Sequence, residues 1–288
     1  MGLGRMGRPM TENLLKKGFE VVVHNRSRGV VDELASQGAR PARSPREVVE
    51  QVDLVMTALP TVETVEQVYL GQDGLVPNAR AGQILIDNST VGPETTRQVY
   101  EAAKQKNVGF LDAPMSGGPA GATGGALTYM IGGDAEVFER ARSVFEATGK
   151  NIHHVGQSGA GTVVKLVNQR LVAIHTSAAS EALAFAVKAG ASPKAVQEVI
   201  GSSFGGSAML NRNTPLIIQR NFAPATSVNL ILKDLGLIHD VARQLEARTL
   251  LTSLAEEIFK EARALGNGDK DMSATVLTLE QVMGIEVK

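Results

Sequence analysis

The 288-residue chain contains no cysteine. That excludes disulfides, cysteine-ligated zinc, iron–sulfur centres and thiol catalysis, and leaves the redox compartment undefined. An excess of either charge is also missing: 29 basic residues face 30 acidic ones, for a net charge of −1. Nucleic-acid binders draw much of their affinity from phosphate contacts and carry a basic excess, so no nucleic-acid partner is expected. No run of like charges marks a tail. The N-terminus lacks the charged-then-apolar pattern of a signal peptide. Long uninterrupted apolar runs are absent too. The longest candidate, Leu171–Ala189, is broken by His175, Glu181 and Lys188 and reads as a buried helix. A membrane span of roughly 20 residues rarely tolerates such groups. A cytoplasmic protein without a membrane partner is the expectation.

What is present is ordinary globular material, 43% hydrophobic and 20% charged, enough for one large domain or two ordinary ones. Short β-branched-rich runs at Glu20–His24, Asp53–Leu59, Gln83–Asp87 and Val108–Asp112 have the character of buried parallel strands. Helical patterns at Met10–Lys17, Val30–Gln37, Thr64–Leu70 and Glu94–Lys106 alternate with them, which argues for a doubly wound α/β sheet. Beyond Gly161 the strand signal ends. Thr162–Lys188 is one long helix pattern stopped by Gly190, and Ser192-Pro193 supplies an N-cap and first-turn proline for the next helix. Further helices are expected at about 207–219, 226–246, 249–264 and 271–283. The pattern divides the chain into an α/β part at 1–158 and an all-helical part at 159–288.

Gly2-Leu3-Gly4-Arg5-Met6-Gly7 matches the G-x-G-x-x-G fingerprint and leads into a helix pattern. The glycines serve a tight turn, close pyrophosphate approach and close helix packing, and the pyrophosphate rests on the helix N-terminus. The motif should follow a strand, yet only Met1 precedes it. The expectation is therefore a Rossmann-type domain whose first strand is apparently missing, followed by an all-α domain with a long interdomain helix. Either the reading frame starts a few codons upstream or the chain is a shortened variant. Roughly 20 residues past the glycines, an acid would hold the ribose of NAD. Asn25-Arg26-Ser27 stands there instead, and arginine with serine suits a 2′-phosphate. NADP is the preferred cofactor, NAD the alternative.

Five motifs follow in order: GLGRMGRPM at 2–10, DAPMSGG at 112–118, GGALTYMIGG at 124–133, GAGTVVKLVNQ at 159–169, and Lys233-Asp234-Leu235. Together they resemble the β-hydroxyacid dehydrogenase family, which includes 3-hydroxyisobutyrate dehydrogenase and tartronate semialdehyde reductase. The NQ pair and Asn221-Phe222-Ala223-Pro224 resemble the tartronate semialdehyde reductase and threonate dehydrogenase branch. The resemblance implies hydride transfer between NAD(P) and a small 3-hydroxy acid or its semialdehyde. It makes Lys165 the catalytic acid/base and Ser116, Gly117 and Gly118 the carboxylate cradle. It also places Leu59-Pro60 and Ser89-Thr90 around the cofactor and Lys233 near the nicotinamide. Lys165, Asn168 and Gln169 share one helix face. Several relatives carry Asn where Gln169 stands, so Gln169 or Asn168 is the residue that holds the reacting oxygen.

Two other readings compete: an imine reductase, whose relatives usually lack this lysine, and a non-catalytic scaffold protein on a dehydrogenase body. The histidines form no convincing cluster, and no metal site is expected. Small residues along the long helix, from Ala173 to Ala186, permit close helix approach. A homodimer or homotetramer is the resulting expectation.

Overall fold

Strand β4, Ile84–Asp87, is buried at every position. Leu85 turns to one face, among Val55, Tyr69, Val99 and Phe110. Ile84 and Ile86 turn to the other, among Met10, Leu111, Phe138 and Phe145. A strand covered on both faces must be apolar throughout, which is why its sequence runs hydrophobic rather than alternating. The computed structural model describes residues 1–288 and divides into two units, Met1–Lys165 and Leu166–Lys288.

The first unit carries β1 (Val22–Val23), β2 (Arg40–Pro41), β3 (Leu54–Thr57), β4, β5 (Gly109–Asp112), β6 (Met115–Ser116), β7 (Leu127–Gly133) and β8 (Gly149–Gly156). Its helices are α1 (Gly7–Lys16), α2 (Gly29–Ser36), α3 (Pro45–Gln51), α4 (Val62–Leu70), α5 (Leu75–Asn78), α6 (Pro93–Gln105), α7 (Gly118–Thr123) and α8 (Ala135–Thr148). β3, β4 and β5 pair in parallel, as the alternating pattern implies. The sheet is nonetheless mixed. β7 runs antiparallel to β5 and β6, and parallel to β8.

The expected gap is visible. β1 and β2 form a separate two-stranded sheet, and no strand joins β1 to β3. Only Met1 and Gly2 bridge them. The Met1 amine donates to Met56 O at 2.7 Å, Ala58 N donates to Met1 O at 3.1 Å, and Gly2 N donates to His24 O at 3.3 Å.

Helix α9 (Ala160–Lys188) runs across the boundary between the units. The second unit continues with α10 (Pro193–Ile200), α11 (Ala208–Ile218), α12 (Val228–Gln244), α13 (Leu250–Ala262) and α14 (Val276–Met283). Gly190, at φ +88°, ends the preceding helix as expected. Ser192 stands at the N-cap of α10 and Pro193 in its first turn, as expected, although the Ser192 side chain makes no capping bond. A correction concerns α9. Leu171 is 47% exposed and Phe185 70% exposed, so the helix is half-buried rather than buried in the single chain. Asp271 pins the second unit together: it takes two bonds from Arg212, at 2.8 and 2.7 Å, and accepts from Ser273 N and Thr226 N. Burial opposes its ionisation, but Arg212 and the backbone amides outweigh that and hold its carboxyl below the usual range. No helix is long and apolar enough to cross a membrane.

Candidate active site

The glycine turn at the start of the chain is built as the fingerprint requires. Gly2 has φ +77°, and a Cβ there would lie 2.3 Å from Ala58 O. A Cβ on Gly7 would lie 1.9 Å from Gly2 O, so α1 can start this close to the turn only with glycine. A Cβ on Gly4 meets nothing within 4 Å, leaving open space where a phosphate would approach. The N-terminus of α1 has no side-chain cap and no acid in its first turn. Its leading amides suit an anion. Asn25 Oδ1 accepts from Leu3 N at 3.0 Å, tying the end of β1 to the turn. Arg26 and Ser27 stand exposed beside it, clear of any carboxylate of their own segment. These residues fit a dinucleotide, and the exposed Arg26 fits a further phosphate.

The carboxyl ends of β3 and β4 are held by one acid. Asp87 Oδ1 accepts from Thr57 Oγ1 at 2.8 Å, Ser89 Oγ at 2.6 Å and Ser89 N at 3.1 Å. Ser89 Oγ in turn accepts from Leu59 N at 2.9 Å, so the Leu59-Pro60 turn and the Ser89-Thr90 turn form one rigid rim. Ligands of such sheets bind outside these strand ends. Asn88, between the two anchors, is only 3% exposed, and neither its Nδ2 nor its Oδ1 has a hydrogen-bond partner.

A second strand-end acid fixes the start of α9. Asp112 Oδ1 accepts from Gly159 N at 2.7 Å and Oδ2 from Thr162 N at 2.8 Å. Burial raises its carboxyl above the usual range, against these bonds. One turn further along α9, Lys165 is 7% exposed and its Nζ donates to Met115 O at 2.8 Å. Ser116 follows Met115 directly. Gly117 and Gly118 then take φ +125° and +60°, which turns the chain into α7. The catalytic candidate and the expected cradle are thus brought to one strand end.

The remaining candidates meet within the second unit. Gln169 Nε2 donates to Asp234 Oδ2 at 2.6 Å, and Asn168 Nδ2 donates to Gln169 Oε1 at 2.9 Å. Lys233 Nζ lies 3.0 Å from Asp234 Oδ1. Asp112 and Asp234 lie in two of the motifs quoted above without a role assigned to either, and Asp87 and Asn88 carry no expectation from the sequence. Asp87 and Asp112 carry a signal in hindsight: each ends an apolar run, and they sit opposite one another in the β4–β5 register. His153 and His154 form no joint site. His154 Nε2 pairs with Gly133 O at 2.7 Å and stacks on Phe138, while His153 is exposed.

A glycine turn, an uncapped helix start and strand-end rims define a dinucleotide-binding oxidoreductase fold. Comparison with known proteins agrees. Residues 1–156 match the model of the NAD binding domain of 6-phosphogluconate dehydrogenase. Residues 159–279 match that of the NAD-binding domain of NADP-dependent 3-hydroxyisobutyrate dehydrogenase. The chain is 43% identical to 3-hydroxyisobutyrate dehydrogenase of Pseudomonas aeruginosa, over 90% of this chain and 89% of that one. It is 38% identical to 2-hydroxy-3-oxopropionate reductase of Escherichia coli, over 97% and 96%. The structure of 3-hydroxyisobutyrate dehydrogenase from Mycobacterium tuberculosis superposes with a TM-score of 0.89 at 34% identity, covering 96% of this chain and 97% of that one. The chain belongs to the β-hydroxyacid dehydrogenase family and is an NAD(P)-dependent oxidoreductase.

Proposed function

We propose that this enzyme interconverts a small 3-hydroxy acid and its semialdehyde, with NADP as the preferred cofactor and Lys165 as general acid/base. The observation that carries the reading is the bond from Lys165 Nζ to Met115 O, which sets the amine beside Ser116. When bound, the nicotinamide takes up or delivers the hydride. Ser116, Gly117 and Gly118 hold the substrate carboxylate with a hydroxyl and turned backbone amides, orienting the carbinol carbon. In oxidation, Lys165 Nζ accepts the hydroxyl proton as the C–H bond breaks. In reduction it returns a proton to the new alkoxide oxygen. Asp112 positions Lys165 by fixing the first turn of α9. Gln169, oriented by Asp234 and Asn168, presents an amide for the reacting oxygen. Arg26 and Ser27 favour NADP through its 2′-phosphate. The same two strand ends serve 3-hydroxyisobutyrate, glycerate and related acids, which differ by a methyl or hydroxyl.

A second copy of this chain is the proposed partner. On α9, Val167, Leu171, Ala178, Ala182 and Phe185 are all exposed and recur at helical spacing, an apolar stripe with small residues at its centre. The function is tested by initial rates with NADP and NAD against 3-hydroxyisobutyrate, glycerate and L-serine, and with tartronate semialdehyde in reverse. Turnover of at least one acid, faster with NADP, is expected. Absence of turnover with all of them would overturn the substrate class.

A further inference from the structure

Between His24 and Glu50 the chain has four acids, Asp32, Glu33, Glu47 and Glu50, and each is already engaged. Asp32 pairs with Arg28 at 3.5 Å, Glu33 with Arg8 at 2.8 Å and Glu50 with Arg46 at 2.8 Å. Glu47 turns its carboxylate to the backbone and accepts from Arg43 N at 2.7 Å. The Arg26 and Arg43 side chains are left exposed, with no carboxylate on either guanidinium.

These two arginines belong to one corner. β1 and β2 run parallel, with Val22 beside Arg40 and Val23 beside Pro41. The ladder continues one step, Ala42 N donating to Val23 O at 2.9 Å, which brings Arg43 level with the start of the 25–28 segment. Arg28 crosses between the two, its Nη1 donating to Ala42 O at 3.1 Å, and the His24 imidazole donates to Arg43 O. Asn25, already bonded to the glycine turn, holds Ser27 O through Nδ2 at 3.2 Å. The Arg43 backbone is thus fixed at both its N–H and its C=O, and Ser44 beside it caps α3 by accepting from Glu47 N at 3.1 Å. A side chain that leaves a fixed backbone has less freedom to lose on binding. Like charges gathered at two strand ends repel one another, and an anion between them offsets that repulsion. A phosphate monoester carries a charge of about −1.5 to −2 at neutral pH, which one guanidinium only half neutralises and two match.

We infer that Arg43 is a specificity-determining residue, a second guanidinium that takes the 2′-phosphate of NADP together with Arg26. The inference rests on the reading of Arg26 and Ser27 as the 2′-phosphate corner. Arg28 is a strut rather than a ligand, committed to Ala42 O and Asp32. NADH carries a hydroxyl in place of that phosphate and gives Arg43 no charge to meet.

The test titrates NADPH and NADH into the unsubstituted chain, Arg26→Ala, Arg43→Ala and Arg43→Lys. Nicotinamide fluorescence is read at two salt concentrations, beside thermal melts without cofactor. Arg43→Ala is expected to weaken NADPH binding by about tenfold, to leave NADH within about twofold, and to melt no lower than the unsubstituted chain. Arg43→Lys should recover part of the loss, as a point charge without the planar fork. The NADPH affinity of Arg43→Ala should also fall less steeply with salt. An equal loss for both cofactors, or a loss accompanied by a lower Tm, would make Arg43 structural and overturn the inference. Undiminished NADPH binding in Arg43→Ala beside a loss in Arg26→Ala would overturn it as well, while leaving the NADP reading standing. If the unsubstituted chain binds NADPH no more tightly than NADH, that reading fails and the inference with it.

Discussion

Asn88 and Asp87 are neighbours with opposite accounts of themselves. Asp87 collects three hydrogen bonds, whereas the Asn88 side chain is buried with none. Removing a buried acceptor leaves its donors unsatisfied, at about 1–3 kcal/mol, while removing an unpaired amide breaks nothing. Asp87→Ala should therefore lower Tm in a thermal melt, and Asn88→Ala should leave it unchanged or raise it. A loss in Asn88→Ala equal to that in Asp87→Ala would contradict the reading. Arg26 offers a second test at this scale. Arg26→Ala is expected to weaken NADPH binding by about tenfold, roughly the worth of one charge-assisted pair, and to leave NADH unaffected. Fluorescence titration measures both. Burial lowers the His24 imidazole below its ordinary value, so the unfolded chain binds that proton more readily and the contribution of His24 to stability is expected to rise with pH. A His24→Gln variant whose denaturant midpoint keeps the same pH dependence as the unsubstituted chain would contradict this.

Among elements, α9 shows what a sequence discloses and what it withholds. Its length and its stop at Gly190 were legible because periodicity and a positive-φ glycine are local signals. Its exposed face was not, because alanine-rich helices read as buried whether the neighbour is the same chain or another. β4 was legible from its continuous apolar run. β7 carries no expectation as a strand: LTYMIGG ends in glycines, and its identity comes from its pairing with β5, β6 and β8 rather than from its own pattern. The candidate site was half legible. Lys165 and Ser116–Gly118 were found through motif resemblance, but Asp112 acts by capping α9 from a strand end 47 residues away from Gly159, a long-range contact no spacing rule reports. Asp112→Ala should reduce Tm and kcat together, since it frees two amides and loosens the turn that carries Lys165. In the second unit, Arg212→Ala strips the buried Asp271 of its cation and should cost about 3–5 kcal/mol in denaturant melts. Because Asp271 is held below its ordinary value, its stabilisation is present at neutral pH and is lost as pH falls through its folded value.

At the scale of the whole molecule, the two units hold different groups of the residues described above. The first carries the glycine turn, the strand-end rims, the cradle and Lys165. The second carries the Gln169–Asp234–Lys233 chain and the apolar stripe of α9. Light scattering is expected to give a dimer or tetramer at micromolar concentration, and Phe185→Glu to shift it toward monomer. A monomer for the unsubstituted chain would contradict the partner proposal. The central claim is that Lys165 moves the proton, and Lys165→Ala tests it most directly, with single-turnover rates and NADPH affinity measured side by side. The account predicts a rate loss of about 10²- to 10⁴-fold, with NADPH binding held within about twofold. Undiminished turnover, or a loss that tracks weakened NADPH binding, would contradict it.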